Sequence, residues 1–359
     1  MIINIYNGFN TVRIDTEKEF PKKYSELVKK TESLHLSECE VNVAIPYADV
    51  HTHGAVGYDF SDCTYEEMKK IDRFYLDSGI GYVLPTLVAL SPEMYKKQIS
   101  SIVKIIKEGN TSFVGINLEG PFINPAKKGA INEKDIRPID INFAKELWEL
   151  SEGYLKIMTV APELEKFDEL ADFAKGKFTI SLGHTASDYD TAVNALKHEN
   201  ARHITHLFNA MNSLHHRKPS LLGAALENSC YKEAICDGVH LSEGIIRMLF
   251  NRMNEEIVLI SDSVSACGLE DGIYKLGGLD VYVKNQHANL ADGTIAGSCK
   301  SIAMQVEFCV KIGVSKEKLI LSSTYTPFKS MDMEVPDLLL SDKINIFDNN
   351  LKLIAKIGY

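Results

Sequence analysis

The sequence predicts an α/β protein, a (β/α)8 TIM-type barrel with a small β-rich domain formed from both chain ends. Three observations carry this. Short apolar runs, mostly rich in β-branched residues, recur from residue 44 to residue 262 with amphipathic stretches between most of them. Histidine, glutamate and aspartate stand at the C-terminal ends of several of those runs. Residues 1–44, and those from about 332 onward, fall outside the rhythm.

Taken in order, the candidate barrel strands are AIPYADV, IGYVLPT, SFVGINL, LKIMTVA, FTISLG, RHITH, EAICDG and IVLISD. The helices predicted between them carry their own start and stop signals. TYEEMKKIDRFYLDSG places Thr64 three residues before Glu67, the spacing of a capping box. SPEMYKKQISSIVKIIKEG starts on Ser-Pro and closes on Gly109. SDYDTAVNALKHEN and SEGIIRMLFNRMNEE follow the same plan. Eight such units suit the roughly 250 residues of a closed barrel, here placed at 45–331. MIINIYN, TVRID and the helix-like KKYSELVKKTE fill the N-terminal segment, and VPDLLLSD, KINIFDNN and LKLIAKIG read as C-terminal strands. Residues 1–44 and 332–359 are therefore expected to form the small domain.

Composition narrows the class of function. The 359 residues carry 45% hydrophobic and 25% charged side chains, and the formal net charge is −10. No basic run stands out, which argues against nucleic acid or an anionic membrane as partner. MIINIYNGFN lacks the cationic start and long apolar stretch of a signal peptide, and no apolar run is long enough to span a membrane. The seven cysteines are scattered and include no C-x-x-C pair. They are expected to be structural thiols in a reducing cytoplasm, Cys236 and Cys267 included, since no paired base accompanies them.

The strand ends carry the chemistry. Side chains at the C-terminal ends of parallel barrel strands converge on one mouth. His51, His53, Glu119, His184, His206 and Asp262 all occupy such positions. Imidazoles and carboxylates converging there form the ligand set of a catalytic divalent metal. Glu119, His184 and His206 make one candidate set. His51 and His53 alternate on an extended backbone and so face one side of it; they either complete a second metal position bridged by Glu119 or surround a single ion. Asp262 suits the base that takes a proton from an attacking water and returns it to a leaving amine. Asn209, Arg217 and His240 lie on predicted mouth loops, and Arg217 with Lys218 suits a phosphate. The residues alone thus point to metal-assisted hydrolysis.

Beyond that, ADVHTHG, NLEGPFINPAKKGA, SLGHTASD, THLFNAMN with a following HRKP, CDGVHL, LISDS and DGTIAGS resemble the N-acetylglucosamine-6-phosphate deacetylases of the amidohydrolase superfamily, over about residues 45–305. The resemblance implies metal ligands at Glu119, His184 and His206, with His51 and His53 supporting a second ion as in some members. It implies an acid/base at Asp262, and a sugar-phosphate site at Asn209, the Ala210 backbone, Arg217 and His240. It also implies a homodimer in which Arg217 reaches the neighbouring subunit's site, and zinc as the metal, with iron, manganese, cobalt or nickel compatible. One position departs from the family. KKGAINE carries Ile131 where the pattern has the histidine expected to hydrogen-bond the acetyl carbonyl, leaving Lys127, Lys128 and Asn132 as nearby donors. Two alternatives follow: an amidohydrolase acting on another N-acyl sugar or cyclic amide, and a catalytically weakened sugar-phosphate-binding homologue.

Overall fold

In a computed structural model describing residues 1–8 and 10–359, every predicted barrel run contains a strand. These strands are Tyr47–Thr52, Ile80–Val88, Ile116–Glu119, Leu155–Val160, Thr179–Leu182, His203–Ile204, Tyr231–Ile235 and Ile257–Ile260. Each pairs in parallel with its sequence neighbour. The barrel closes just past the eighth strand, where Asp262 N–H donates to the His51 carbonyl (2.9 Å) and His53 N–H to the Ser263 carbonyl (2.8 Å). Those closing bonds lie at the C-terminal mouth, so closure itself fixes the two segments that carry His51, His53 and Asp262.

The helices begin where their caps are. Thr64 N–H donates to Glu67 Oε2 (2.8 Å) and starts the helix Tyr65–Asp77, which buries Met68, Ile71 and Tyr75 along one face. Ser91 caps Pro92–Glu108, and Gly109 ends it at φ 75°. Burying Ile99, Ile102 and Val103 from that helix contributes about 1.5–3 kcal/mol each before the entropy cost is subtracted. Tyr189–Ala195 and Glu243–Arg252 occupy the other two predicted segments, the first capped by Asp188.

The chain ends share one five-stranded sheet. Its order is Leu353–Ile357, Ile344–Phe347, Glu40–Ala44, Ile2–Asn7, Asn10–Asp15. Ile346 pairs with Val43, which in turn sits beside Ile5, so the C-terminal hairpin completes a sheet begun by the N terminus. The apolar run VNVAIPYADV therefore serves both units, breaking at Pro46, which has no N–H for a ladder. Asn345 Nδ2 donates to the Gly79 carbonyl (2.7 Å), and Tyr325 OH to the Tyr6 carbonyl (2.6 Å); both bonds seat the sheet on the barrel.

Two expectations need correction. VPDLLLSD forms no strand. Pro336 offers no donor, and Asp337 Oδ1 takes the Leu339 N–H (2.9 Å), closing a turn that leaves Leu340 exposed. Conversely, residues 272–298 hold a four-stranded meander not anticipated from the sequence: Gly272–Leu276, Leu279–Lys284, His287–Asn289 and Ile295–Ser298. Its first hairpin turns at Gly277-Gly278, both at positive φ, a signal the sequence did carry. The segment STYTPFKSMDM belongs to a buried π turn at Leu321–Tyr325 and the helix Thr326–Ser330 that follows it. Ser322 and Ser323 hydroxyls donate to the Leu319 carbonyl there, taking up an acceptor that the wide turn frees.

Candidate metal centre

Glu119, at the tip of the third strand, is the hub of the mouth. Its Oε1 lies 2.9 Å from His184 Nε2 and 3.0 Å from His206 Nε2, and those two nitrogens are 3.0 Å apart. Its other oxygen faces His53 Nε2 at 3.3 Å. His53 Nε2 is also 3.2 Å from Asp262 Oδ1, and His51 Nε2 is 3.5 Å from Glu119 Oε1 and 3.6 Å from Asp262 Oδ1. The six residues thus form two adjoining clusters, Glu119–His184–His206 and His51–His53–Asp262. All six are buried.

Proton bookkeeping shows what the clusters lack. His184 Nδ1 lies 2.8 Å from the Lys127 carbonyl, which only accepts, so Nδ1 carries the proton. A neutral ring then presents the Nε2 lone pair to the lone pairs of Glu119. His51 repeats the pattern: Nδ1 donates to Glu233 Oε2 (2.9 Å), and Nε2 has no hydrogen-bond partner among the described residues. Lone pairs that converge in a buried site need a cation, supplied by extra protons or by a metal. Three donors about 2.0–2.1 Å from a tetrahedral ion stand about 3.3 Å apart, close to the spacing found around Glu119. The donor set, two imidazoles and one carboxylate in each cluster, fits a divalent transition metal.

When protons supply that cation, the same contacts set the charge states. Burial alone pushes the Glu119 carboxyl up, but the His184 and His206 imidazoles hold it well below the usual carboxylate range. Burial likewise acts against the Asp262 anion, and His53 and His51 outweigh it. Asp49, deeper in the barrel, is pushed up to about 7, because its burial outweighs the lowering effect of the Ser261 and His51 contacts.

The backbone is bent to present these groups. His184, His206 and Asp262 sit at φ 48°, 28° and 47°, a region that costs about 1–3 kcal/mol per non-glycine residue. Gly297 makes the Asp262 turn possible: a Cβ there would lie 2.7 Å from the Asp262 carbonyl oxygen, and its own φ is 68°. Asp262 is held from both sides, its N–H by His51 and its carbonyl by Ser298 N–H (2.8 Å). No helix follows until Ile302, so Asp262 is not a helix cap.

Beside the clusters lies a cavity of about 370 Å³ lined by Asn209, Ala210, His240 and Ile131 as well as by His53, Glu119, His184, His206 and Asp262. Asp237 orients His240: its Oδ2 accepts from Nδ1 at 2.9 Å, and its Oδ1 from the His240 N–H. Burial opposes both ions, yet the pair holds Asp237 down at about 2 and His240 above its ordinary value. Ile131 is buried in the wall. Of the three donors near it, Lys127 lines the cavity, with Nζ on the Met211 carbonyl at 3.4 Å. Lys128 is paired with Glu133, and Asn132 caps a short turn.

Arg217 is not at this cavity. It is exposed, its Nη1 lies beside His216, and it lines a separate hollow with Asp188, Tyr189 and Lys218. Six of the cysteines are buried and none is bridged; burial raises the Cys267 thiol to about 12, consistent with packing.

Several site residues escaped sequence reasoning. Leu276, Thr294 and Ile295 reach the cavity from the meander. Glu163 accepts from Asn124 Nδ2, Ala186 N–H and the Thr185 hydroxyl, tying three mouth loops together. Glu233 lies inside the seventh strand and touches both clusters. The signal for it was a carboxylate at the start of the predicted barrel run EAICDG.

Among known proteins, no family model matches the chain. It is 33% identical over 307 residues to the N-acetylglucosamine-6-phosphate deacetylase of Bacillus subtilis, covering 83% of this chain and 76% of that one. The enzyme of that name from Caenorhabditis elegans is 32% identical over 81% of this chain and 74% of its own. An N-acetylgalactosamine-6-phosphate deacetylase of Escherichia coli O157:H7 is 28% identical over 80% of this chain and 78% of its own. In structure, the chain matches the N-acetylglucosamine-6-phosphate deacetylase of Thermotoga maritima with a TM-score of 0.83 at 27% identity, over 100% of this chain and 98% of that one.

Proposed function

Because the chain belongs to the N-acetylglucosamine-6-phosphate deacetylases of the amidohydrolase superfamily, we propose that it hydrolyses N-acetylglucosamine 6-phosphate to glucosamine 6-phosphate and acetate in a metal-dependent reaction. The observation that carries this is the convergence of the His184 and His51 lone pairs on Glu119 and Asp262 in one buried mouth.

Glu119, His184 and His206 would hold the ion, for which zinc is the first expectation from an N/O donor set, with iron, manganese, cobalt or nickel compatible. When bound, a divalent ion supplies Lewis-acid polarisation of the amide carbonyl and acidifies water. Asp262, a carboxylate beside the site of that cation, takes the proton of the attacking water. It then delivers that proton to the departing amine. His240, fixed by Asp237, holds the sugar phosphate with Asn209 and the Ala210 backbone. Arg217 points away from its own cavity, and exposed Leu214 lies on the same loop; these features support a homodimer in which Arg217 serves the neighbouring site. Six buried, unbridged thiols support a cytoplasmic location. Among the described residues, no helix is long and apolar enough to cross a membrane.

Zinc-loaded protein is expected to release acetate from N-acetylglucosamine 6-phosphate, and much less from the unphosphorylated sugar. Running the galacto epimer alongside decides which hexosamine is preferred. Absence of acetate above a metal-free control with every divalent ion tried sinks the proposal. Ile131 removes a donor that typically supplies about 10²–10³ in rate. Ile131→His is therefore expected to raise kcat by up to about 10²-fold, measured as initial acetate release. An unchanged kcat assigns the carbonyl contact to another group, with Lys127 the neighbour already lining the cavity.

A further inference from the structure

We infer that Glu233 is a positioning residue that joins the two clusters: it orients the His51 ring at the second ion position that the family resemblance implies, and braces His206 at the first. The inference rests on the metal-centre reading above and goes beyond it.

Glu233 is fully buried in the middle of the seventh strand. One oxygen, Oε2, accepts both His51 Nδ1–H (2.9 Å) and the His206 backbone N–H (2.9 Å). A carboxylate only accepts, so this contact places the His51 proton on Nδ1 and leaves Nε2 as a lone pair. That Nε2 points at Glu119 Oε1 and Asp262 Oδ1 and lacks a partner among the described residues. A carboxylate behind a ligand histidine fixes its tautomer and raises its basicity, as outer-shell partners of metal sites do. The bond to His206 N–H holds a residue whose φ is 28°, so the same oxygen also braces a ligand of the first cluster. One buried carboxylate thereby registers His51 against His206, and hence one metal position against the other.

The test is zinc titration of full-length, chelator-stripped protein, with zinc per chain measured by elemental analysis. Wild type is expected to bind two ions. Glu233→Gln keeps an acceptor oxygen for both N–H groups but removes the charge. Its affinity at the His51–His53–Asp262 position is expected to fall about 10–100-fold, with the other position changed less than about threefold. In a double-mutant cycle, Glu233→Gln added to His51→Ala is expected to weaken zinc binding no further. A purely structural role would instead weaken both positions alike or neither, and either result overturns the inference, as does a wild type that binds one ion. A wild type that binds none overturns the metal-centre reading itself. Nitrogen NMR of zinc-loaded wild type gives an answer that needs no variant: His51 is expected to carry its single proton on Nδ1, and a zinc-loaded ring protonated on Nε2 overturns the inference.

Discussion

Asp262→Asn is expected to lower kcat by about 10²–10⁴-fold, the usual worth of a positioned acid/base. The substitution keeps size and backbone. It removes the group assigned to accept a proton and return it, because an amide does neither near neutral pH. The carboxylate lies 3.2 Å from His53 Nε2 and faces the cavity that also holds His240 and Asn209. These last two residues are assigned to the sugar phosphate and are untouched, so KM is expected to stay within about threefold while kcat falls, the pattern of an interaction made in the transition state. Steady-state acetate release, with zinc content measured on the same samples, checks this. Turnover near the wild-type value in a zinc-loaded variant removes Asp262 from the proton-transfer role.

Glu119→Gln is expected to abolish activity by a different route. Glu119 contributes Oε1 to His184 and His206 and Oε2 to His53, so it belongs to both clusters. Changes to outer-shell partners alone cost about 10–100-fold in metal affinity, and losing this shared anion is expected to cost more. The consequence extends to stability. An ion that binds only the folded chain stabilises it by about 2.7 kcal/mol at a free concentration 100 times its Kd. Chelator is therefore expected to lower the Tm of zinc-loaded wild type and to leave the Tm of Glu119→Gln unchanged. A variant that retains zinc and a chelator-sensitive Tm removes Glu119 from the ligand set.

Much of this was legible before the structure because it is local or periodic. Parallel barrel strands are buried on both faces, so their apolar runs stand out even where the ladder is only His203–Ile204. Caps such as Thr64 with Glu67 need only a few residues. The meander was missed because its strands alternate exposed and buried residues and fall outside the eight-fold rhythm. VPDLLLSD was misread because its leucines outweighed a Pro-Asp turn.

The sequence by itself determined the barrel, the donor types and the strand ends that carry them, since strand direction alone sends those ends to one mouth. Its motifs determined the family. Only the tertiary structure decided which atoms meet. Glu233 is 182 residues from His51 in the chain and 2.9 Å from it in space, and no periodicity encodes that pairing. Arg217 shows the same limit from the other side. It lies on the loop that follows His206, yet the fold turns it away from the cavity that His206 lines. Proton positions, and with them the two converging lone pairs, follow from such contacts between strands because a histidine's tautomer is set by what its other nitrogen touches.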